Sequence, residues 1–191
     1  MGRASLLVLC LGTGPLTGCA GAVIGGAAAT VAVVHDRRTF GTLIEDQTIE
    51  FKILDHVNQD QELKERSHIN VTSYNMVVLL TGQAPSPTLK ERAGALAREV
   101  ERVRRVYNEI EVAAPSSFTA RGSDTLLTAK VKTSLFKVKA PGFDPTRIKV
   151  VTDGGTVYLM GLVSKAEGRA ATDQARRVGG VRRVVKLFEY I

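Results

Sequence analysis

Residue types that carry most protein chemistry are scarce in this sequence. It has no tryptophan, two cysteines and three histidines among 191 residues. The histidines lack the HxxH and HExxH spacings that place two metal ligands on one helix face. The sequence also lacks a GxSxG elbow, a Walker lysine and a strand-GxGxxG-helix motif. We therefore predict that the chain is not an enzyme and binds no metal or cofactor.

An apolar run of signal-peptide length, Leu6 to Leu16, follows a single positive charge at Arg3. It leads into LTGC (residues 16–19), where small residues precede a cysteine as in the lipobox of bacterial lipoproteins. We predict a lipoprotein signal peptide over residues 1–18, with N-acyl and S-diacylglycerol lipid on Cys19. The competing interpretation is a chance thiol in a buried helix.

The other cysteine, Cys10, follows Leu9 and so lacks the small residue that cleavage before a lipidated cysteine requires. It would leave with the signal peptide, while Cys19 would carry the lipid. The mature chain is then predicted to hold no free thiol, no disulfide and no CxxC metal or redox site.

The segment after Cys19, AGAVIGGAAATVAVV (residues 20–34), is apolar but poorly suited to crossing a membrane. Its 15 residues would cover roughly 22 Å as a helix, short of the roughly 30 Å hydrocarbon core. Its three glycines also weaken a helix. We predict that residues 19–45 form a lipidated Gly/Ala-rich tether, flexible or interfacial, rather than a membrane span.

The rest of the chain is an internal repeat. INVTSYNMVVLLTG (69–82) aligns with IKVVTDGGTVYLMG (148–161) at a constant offset of 79, and an offset of 78 relates the apolar positions on either side. Such a duplication predicts two copies of one folding unit. We place copy 1 at residues 46–113, a linker at 114–123 and copy 2 at 124–191.

Each copy has the same order of predicted elements. Apolar residues spaced i, i+4, i+8 predict a first helix in each copy: Ile49, Ile53 and Val57, then Leu127, Val131 and Leu135. An alternating strand, a tight turn and a second strand ending at Gly82 or Gly161 follow. A second helix and a last strand complete an α-β-β-α-β unit. Ser123 or Asp124 is the predicted N-cap of copy 2. The fold class is α+β, each three-stranded sheet being covered on one face by two helices.

This pattern resembles the BON domain ("bacterial OsmY and nodulation") over nearly all of residues 46–191. Gly82 and Gly161 match the family's motif glycine, and Gly179-Gly180 before Val181 matches its GV..V pattern. Copy 1 departs there with Glu101-Arg102, so we expect its second helix to run on. The lipobox, the tether and the two copies together resemble the dual-BON outer-membrane lipoproteins.

The resemblance implies a periplasmic protein anchored in the outer membrane, which binds anionic phospholipid and supports envelope integrity. It also implies that the first helix of the second domain contacts the membrane. Ala20 after Cys19 agrees with this location, since an aspartate there would signal inner-membrane retention.

The two copies differ in charge. Residues 45–112 carry 9 basic and 12 acidic side chains, whereas residues 119–191 carry 14 basic and 6 acidic ones. Anionic lipid attracts each nearby Lys or Arg by about 1 kcal/mol. The envelope location excludes nucleic acid as the partner of this basic copy. A solvated basic surface without a ligand is the alternative.

The first helix of copy 2 offers a candidate membrane face beside its buried one. Its members combine apolar and cationic side chains: Leu126, Lys130, Thr133 and Lys137, with Lys132 and Phe136 at the borders. Apolar groups beside lysines suit an interfacial contact, because they enter the acyl boundary while the ammonium groups meet phosphates. Alternatively, Leu126 and Phe136 pack against copy 1.

A second class of function stays open. In it, the lipid anchor only localises the chain, and acidic copy 1 or exposed strand edges recruit an envelope protein partner. Binding of the soluble chain to anionic liposomes separates the two hypotheses.

Overall fold

The structure is a computed structural model that describes residues 36–191. The predicted signal peptide, the lipidation site Cys19 and the tether up to residue 35 lie outside the described residues. Both copies and the linker between them lie within residues 36–191.

Copy 1 has the predicted order of elements, with a short extra helix and a divided last strand. Its elements are α1 (Phe40–Gln59), α2 (Gln61–Arg66), β1 (His68–Tyr74), β2 (Val77–Ala84), α3 (Pro87–Glu99), β3 (Arg105–Asn108) and β4 (Glu111–Val112). Residues 40–45, assigned above to the tether, form the first turns of α1.

Copy 2 repeats this order with a continuous last strand. Its elements are α4 (Phe118–Leu135), a 3-10 turn (Pro145–Arg147), β5 (Lys149–Asp153), β6 (Thr156–Val163), α5 (Lys165–Arg176) and β7 (Arg183–Tyr190). The predicted α+β class and the α-β-β-α-β order are thus confirmed in both copies.

The second strand of each copy lies at the centre of its sheet. β2 pairs antiparallel with β1 and parallel with β3, and β6 pairs in the same way with β5 and β7. A parallel neighbour requires a crossover connection, which the second helix supplies. Both helices therefore pack on one face of each sheet, where the predicted apolar stripes are buried.

The helix-free faces of the two sheets pack against each other. Three side chains from each copy form this shared core: Tyr74, Val77 and Leu79 from copy 1, and Tyr158, Met160 and Leu187 from copy 2. A central strand covered on both faces has no solvent side, so the runs Val77–Leu80 and Val157–Met160 are apolar throughout. The stacking joins the two copies into one compact unit.

Polar contacts border this shared core. The Lys149 ammonium lies 3.0 Å from a Glu50 carboxylate oxygen and donates to the Ser73 carbonyl oxygen. The Gly82 N–H donates to Asp153 across the boundary at 3.1 Å. Glu50 therefore helps to hold the copies together.

The segment that precedes α1 is fixed to both copies. Arg37 donates to Glu167 of copy 2 at 2.9 and 3.1 Å and to the Leu162 carbonyl oxygen at 2.8 Å. Arg38 pairs with Asp46 in copy 1 at 2.8 Å. The chain therefore enters the described fold at the boundary of the two copies.

A repeated aspartate holds each hairpin turn to the first helix. In copy 1, buried Asp46 accepts hydrogen bonds from the N–H groups of Asn75 and Met76. Asp124, its equivalent at offset 78, accepts them from Gly154 and Gly155, both at 2.9 Å. These four turn residues have positive φ, as a type I′ turn requires, which confirms the predicted tight turns.

Three local expectations are wrong. The N-cap of α4 is Ser117, whose side chain accepts from the Ala120 N–H at 3.2 Å, and not Ser123 or Asp124. Asp124 is committed to the hairpin turn instead. The second helix of copy 1 does not run on, because it ends at Glu99. Strands β2 and β6 continue two residues beyond Gly82 and Gly161.

The two motif glycines lie where the first strand approaches most closely. A Cβ on Gly82 would lie 1.9 Å from the His68 carbonyl oxygen, and the residue has φ +110°. A Cβ on Gly161 would lie 2.6 Å from the Arg147 carbonyl oxygen. Both distances are far below contact distance, so a side chain at either position would displace backbone.

Candidate membrane-binding face on helix α4

Helix α4 presents opposite faces to the core and to solvent. The predicted inward residues Leu127, Val131 and Leu135 are all buried in the copy 2 core. Their i, i+4, i+8 spacing places them along one line of the helix. The opposite side of the helix is exposed to solvent, which leaves its side chains open to a ligand.

All six predicted lipid-binding residues are exposed on α4 or directly after it: Leu126, Lys130, Lys132, Thr133, Phe136 and Lys137. Leu126 is 65% exposed and Phe136 is 70% exposed. The alternative that these two pack against copy 1 is therefore wrong. An apolar side chain left this open beside lysines is the pattern of an interfacial contact.

Four of the six line a common groove between α4 and α5. Leu126, Lys130, Thr133 and Lys137 form its α4 wall, and the groove has a volume of about 690 Å³. Lys132 and Phe136 lie outside this groove, at the border of the same helix surface. The predicted face is thus a groove with a separate aromatic group beside it, rather than one continuous patch.

The other wall adds a cation that sequence reasoning missed. Arg177, directly after α5, lines the groove with Gln174 and Val178. Arg177 is exposed and faces the lysines of α4 across the groove. The signal was present as the basic pair Arg176-Arg177, but only the fold shows that it lies opposite α4.

The lysines of this face are not neutralised by nearby carboxylates of the described residues. Among residues 36–191, no carboxylate lies within ion-pair distance of Lys130, Lys132 or Lys137. Three ammonium groups held on one helix end without counter-charges create a local positive potential. Such a potential attracts phosphate groups at a membrane surface.

The equivalent face of α1 has a different chemistry. At offset 78, Leu126, Lys130, Thr133 and Lys137 correspond to Thr48, Lys52, Asp55 and Gln59, and Phe136 corresponds to Asn58. Lys132 corresponds to Leu54, so one cation, one anion and one apolar side chain remain. Only copy 2 therefore combines several lysines with exposed apolar groups on this face.

A polar cleft of about 310 Å³ lies between the copies, lined by His68, Arg121, Thr128 and Asp153 among others. Burial, aided by Arg121, lowers the pKa of His68, and burial raises the pKa of Asp153. Asp153 is already engaged with the Gly82 N–H. This cleft thus holds contacts that join the copies.

Within the part of the chain that the structure describes, every helix is too short or too polar to traverse a bilayer.

Comparison with known proteins agrees with the repeat and the fold. The BON domain family matches residues 45–114 and 123–191. The outer membrane lipoprotein DolP of Haemophilus influenzae is 42% identical over 179 residues, covering 92% of this chain and 90% of that protein. The 21 kDa hemolysin of Actinobacillus pleuropneumoniae is 37% identical over 159 residues, covering 82% and 79%. The osmotically-inducible protein Y of Escherichia coli is 30% identical over 148 residues, covering 75% and 72%.

Proposed function

Because this chain belongs to the family of BON-domain proteins, we propose that it is a lipid-anchored outer-membrane protein on the periplasmic side. In this proposal Cys19 carries the lipid, and the groove of α4 in copy 2 binds anionic phospholipid. The protein supports envelope integrity by binding rather than catalysis. The location is supported by the name of the lipoprotein to which the chain is similar over nine-tenths of both lengths.

One observation carries the lipid-binding assignment: α4 exposes Leu126 and Phe136 beside lysines that have no carboxylate partner among residues 36–191. The apolar groups enter the acyl boundary, while Lys130, Lys137 and Arg177 lie at the level of the phosphates. Each cation contributes about 1 kcal/mol near an anionic surface. Without tryptophan in the chain, the apolar contribution rests on two side chains, so the affinity is modest.

The charge contribution is tested on residues 36–191, which form one compact unit and lack the anchor. The double variant Lys130→Glu/Lys137→Glu should weaken binding to anionic liposomes by on the order of 2–3 kcal/mol, since two attractions become repulsions. Co-sedimentation measures this loss, and raised salt should reproduce part of it in the unsubstituted protein.

The matched control is Lys52→Glu in α1, the equivalent of Lys130 in copy 1, which should bind as the unsubstituted protein does. Glu50→Lys is unsuitable as a control, because Glu50 pairs with Lys149 across the two copies. Equal losses from Lys52→Glu and from the copy 2 variant would contradict a site on α4.

The apolar contribution is tested with Leu126→Ala/Phe136→Ala. Each side chain that enters the acyl boundary contributes about 1–3 kcal/mol by apolar burial, so binding should weaken with little dependence on salt. The control is Phe51→Ala, an exposed phenylalanine of α1. Binding that Leu126→Ala/Phe136→Ala leaves unchanged would reduce the site to a purely electrostatic contact.

The envelope-adaptor hypothesis is the alternative outcome of these experiments. If residues 36–191 ignore anionic liposomes, the lipid anchor only localises the chain, and a protein partner is the ligand.

A further inference from the structure

Helix α1 carries an apolar stripe that no described part of the chain covers. Phe40, Ile44, Phe51 and Leu54 are 67%, 54%, 72% and 37% exposed. With exposed Gln47 they follow each other at alternating intervals of four and three residues. This is the spacing of the narrow seam by which one helix packs along another.

The BON fold itself does not require this stripe. At offset 78 its five positions become Phe118, Gly122, Thr125, Ala129 and Lys132 on α4. Only one large apolar residue survives, yet α4 packs its core as α1 does. The stripe is therefore a property of copy 1, and a cost in exposed apolar surface that the fold alone does not explain.

We propose that the α1 stripe is the interface between two copies of this chain, with the two α1 helices antiparallel and the two-fold axis at Gln47. The order of the stripe is symmetric about this residue, since two apolar residues lie on either side. Phe40 then faces Leu54 of the second copy, and Ile44 faces Phe51. The two Gln47 amides can each donate and accept, so they pair with each other.

The charges beside the stripe favour antiparallel helices. Glu50 and Asp55 lie on opposite borders of the stripe. In a parallel pair, Glu50 would face Asp55 of the second copy, and such border charges set helix orientation. In the antiparallel pair, Asp55 faces the uncharged Gly41 instead. Glu45 and Glu50 are already paired within the chain, with Arg102 at 2.6 Å and Lys149 at 3.0 Å.

The same charges make a membrane a poor occupant of the stripe. Glu50 and Asp55 flank it, and Lys52, the one lysine of α1, lies further round the helix. Insertion of Phe51 into an anionic bilayer would bring these carboxylates to the phosphate level, where they are repelled. The lysine-rich face of α4 has the opposite character.

The area of the stripe sets the strength of the pair. A phenylalanine can bury about 150–250 Å², so the four apolar side chains offer about 400 Å² per copy. The pair then buries about 800 Å², below the roughly 1,200 Å² of stable interfaces. The dimer is therefore weak in dilute solution. Anchoring both copies in one membrane, as the proposed function holds, raises their local concentration.

The experiment uses disulfide formation in the full-length protein in cell membranes. Residues 36–191 contain no cysteine, so an introduced thiol reports its own neighbours. Gln47→Cys should give an oxidised dimer of twice the protein's mass, because the two-fold axis brings its Cβ atoms together. The unsubstituted protein gives the baseline for Cys10 and Cys19. Thr125→Cys, the equivalent position on α4, is the matched control and should stay at this baseline.

Two further variants test whether the α1 helices are antiparallel and whether apolar side chains hold them together. Phe40→Cys alone should stay at the baseline, whereas its co-expression with Leu54→Cys should give the dimer. Phe51→Glu added to Gln47→Cys should abolish the cross-link with unchanged thermal melting, since Phe51 is exposed.

A Gln47→Cys protein without dimer above the baseline overturns the proposal, and so does a cross-link to a protein of another mass. A strong Phe40→Cys self-cross-link overturns the antiparallel arrangement. Liposome binding of residues 36–191 should be unaffected by Phe51→Glu. A failed dimer and a failed lipid site are therefore recognised separately.

Discussion

The first helices of the two copies bury the same pattern and expose opposite ones. Helix α1 exposes an apolar stripe flanked by carboxylates, whereas α4 exposes lysines around Leu126 and Phe136. Both bury three apolar residues at i, i+4 and i+8 against the sheet of their own copy. The duplicated core thus fixes the fold, while the free helix surfaces differ in chemistry.

The two motif glycines differ in how strictly the backbone around them requires glycine. Gly82 combines a positive φ with a Cβ position 1.9 Å from backbone oxygen, whereas Gly161 has only the close approach of 2.6 Å. Gly82→Ala should therefore lower the free energy of unfolding by about 3 kcal/mol or more, and Gly161→Ala by less.

Urea unfolding of residues 36–191 measures both losses. Unchanged midpoints for the two alanine variants would contradict the backbone approach. A larger loss for Gly161→Ala than for Gly82→Ala would reverse the comparison. Because the copies share a core, either variant should also weaken liposome binding through folding.

One buried position differs in charge between the copies. Glu167 at the start of α5 corresponds to Leu89 in α3, and both are buried. Burial would raise the pKa of Glu167, but hydrogen bonds from Arg37 and Ser164 outweigh it and lower this pKa from 4.5 to about 2. A carboxyl with a lowered folded-state pKa stabilises the fold above its unfolded value and loses this effect as pH falls.

We therefore expect Glu167 to contribute on the order of 3 kcal/mol of stability above pH 4.5, lost progressively as pH falls from about 4.5 to about 2. Urea unfolding at a series of pH values measures this slope. Glu167→Gln should flatten it in this window and lower stability at neutral pH. An identical slope in the variant would exclude Glu167 as the acid-sensitive group.

The smallest expected effect concerns the turn after the second helix. Arg102 in copy 1 has φ +66° where copy 2 has Gly180 at φ +102°. Gly180→Arg should destabilise by about 1 kcal/mol, because side chains rarely adopt this backbone region. Arg102→Gly relieves the same strain but loses an exposed ion pair with Glu45, so stability should change by less than about 0.5 kcal/mol. Thermal melting of the two variants measures both changes in stability. A larger loss of stability from Arg102→Gly than from Gly180→Arg would contradict the expected order.

The sequence predicts the elements and the duplicated cores because each copy repeats its periodicity. The runs Val77–Leu80 and Val157–Met160 do not alternate between apolar and polar residues. This pattern indicates strands that are covered on both faces, and so it could have predicted the stacking of the sheets. The helix end at Glu99 could not be predicted, because an arginine takes the turn conformation usual for glycine. Ser117 was missed as N-cap because the first turns of α4 bury no apolar residue.

The candidate site was predictable only in part. Helical spacing places Leu126, Lys130, Thr133 and Lys137 together, and they do line one groove. Arg177 comes from a different helix, so tertiary structure alone brings it to this groove. The α1 stripe could not be predicted, because Phe40 and Ile44 precede the predicted start of copy 1 and were assigned to the tether.

The most direct test of lipid binding by copy 2 is co-sedimentation of residues 36–191 with vesicles that contain or lack anionic phospholipid. We expect the protein to sediment with the anionic vesicles at low salt, to be partly released as salt is raised, and to stay in solution with neutral vesicles. A protein that remains in the supernatant with both kinds of vesicle would contradict the account.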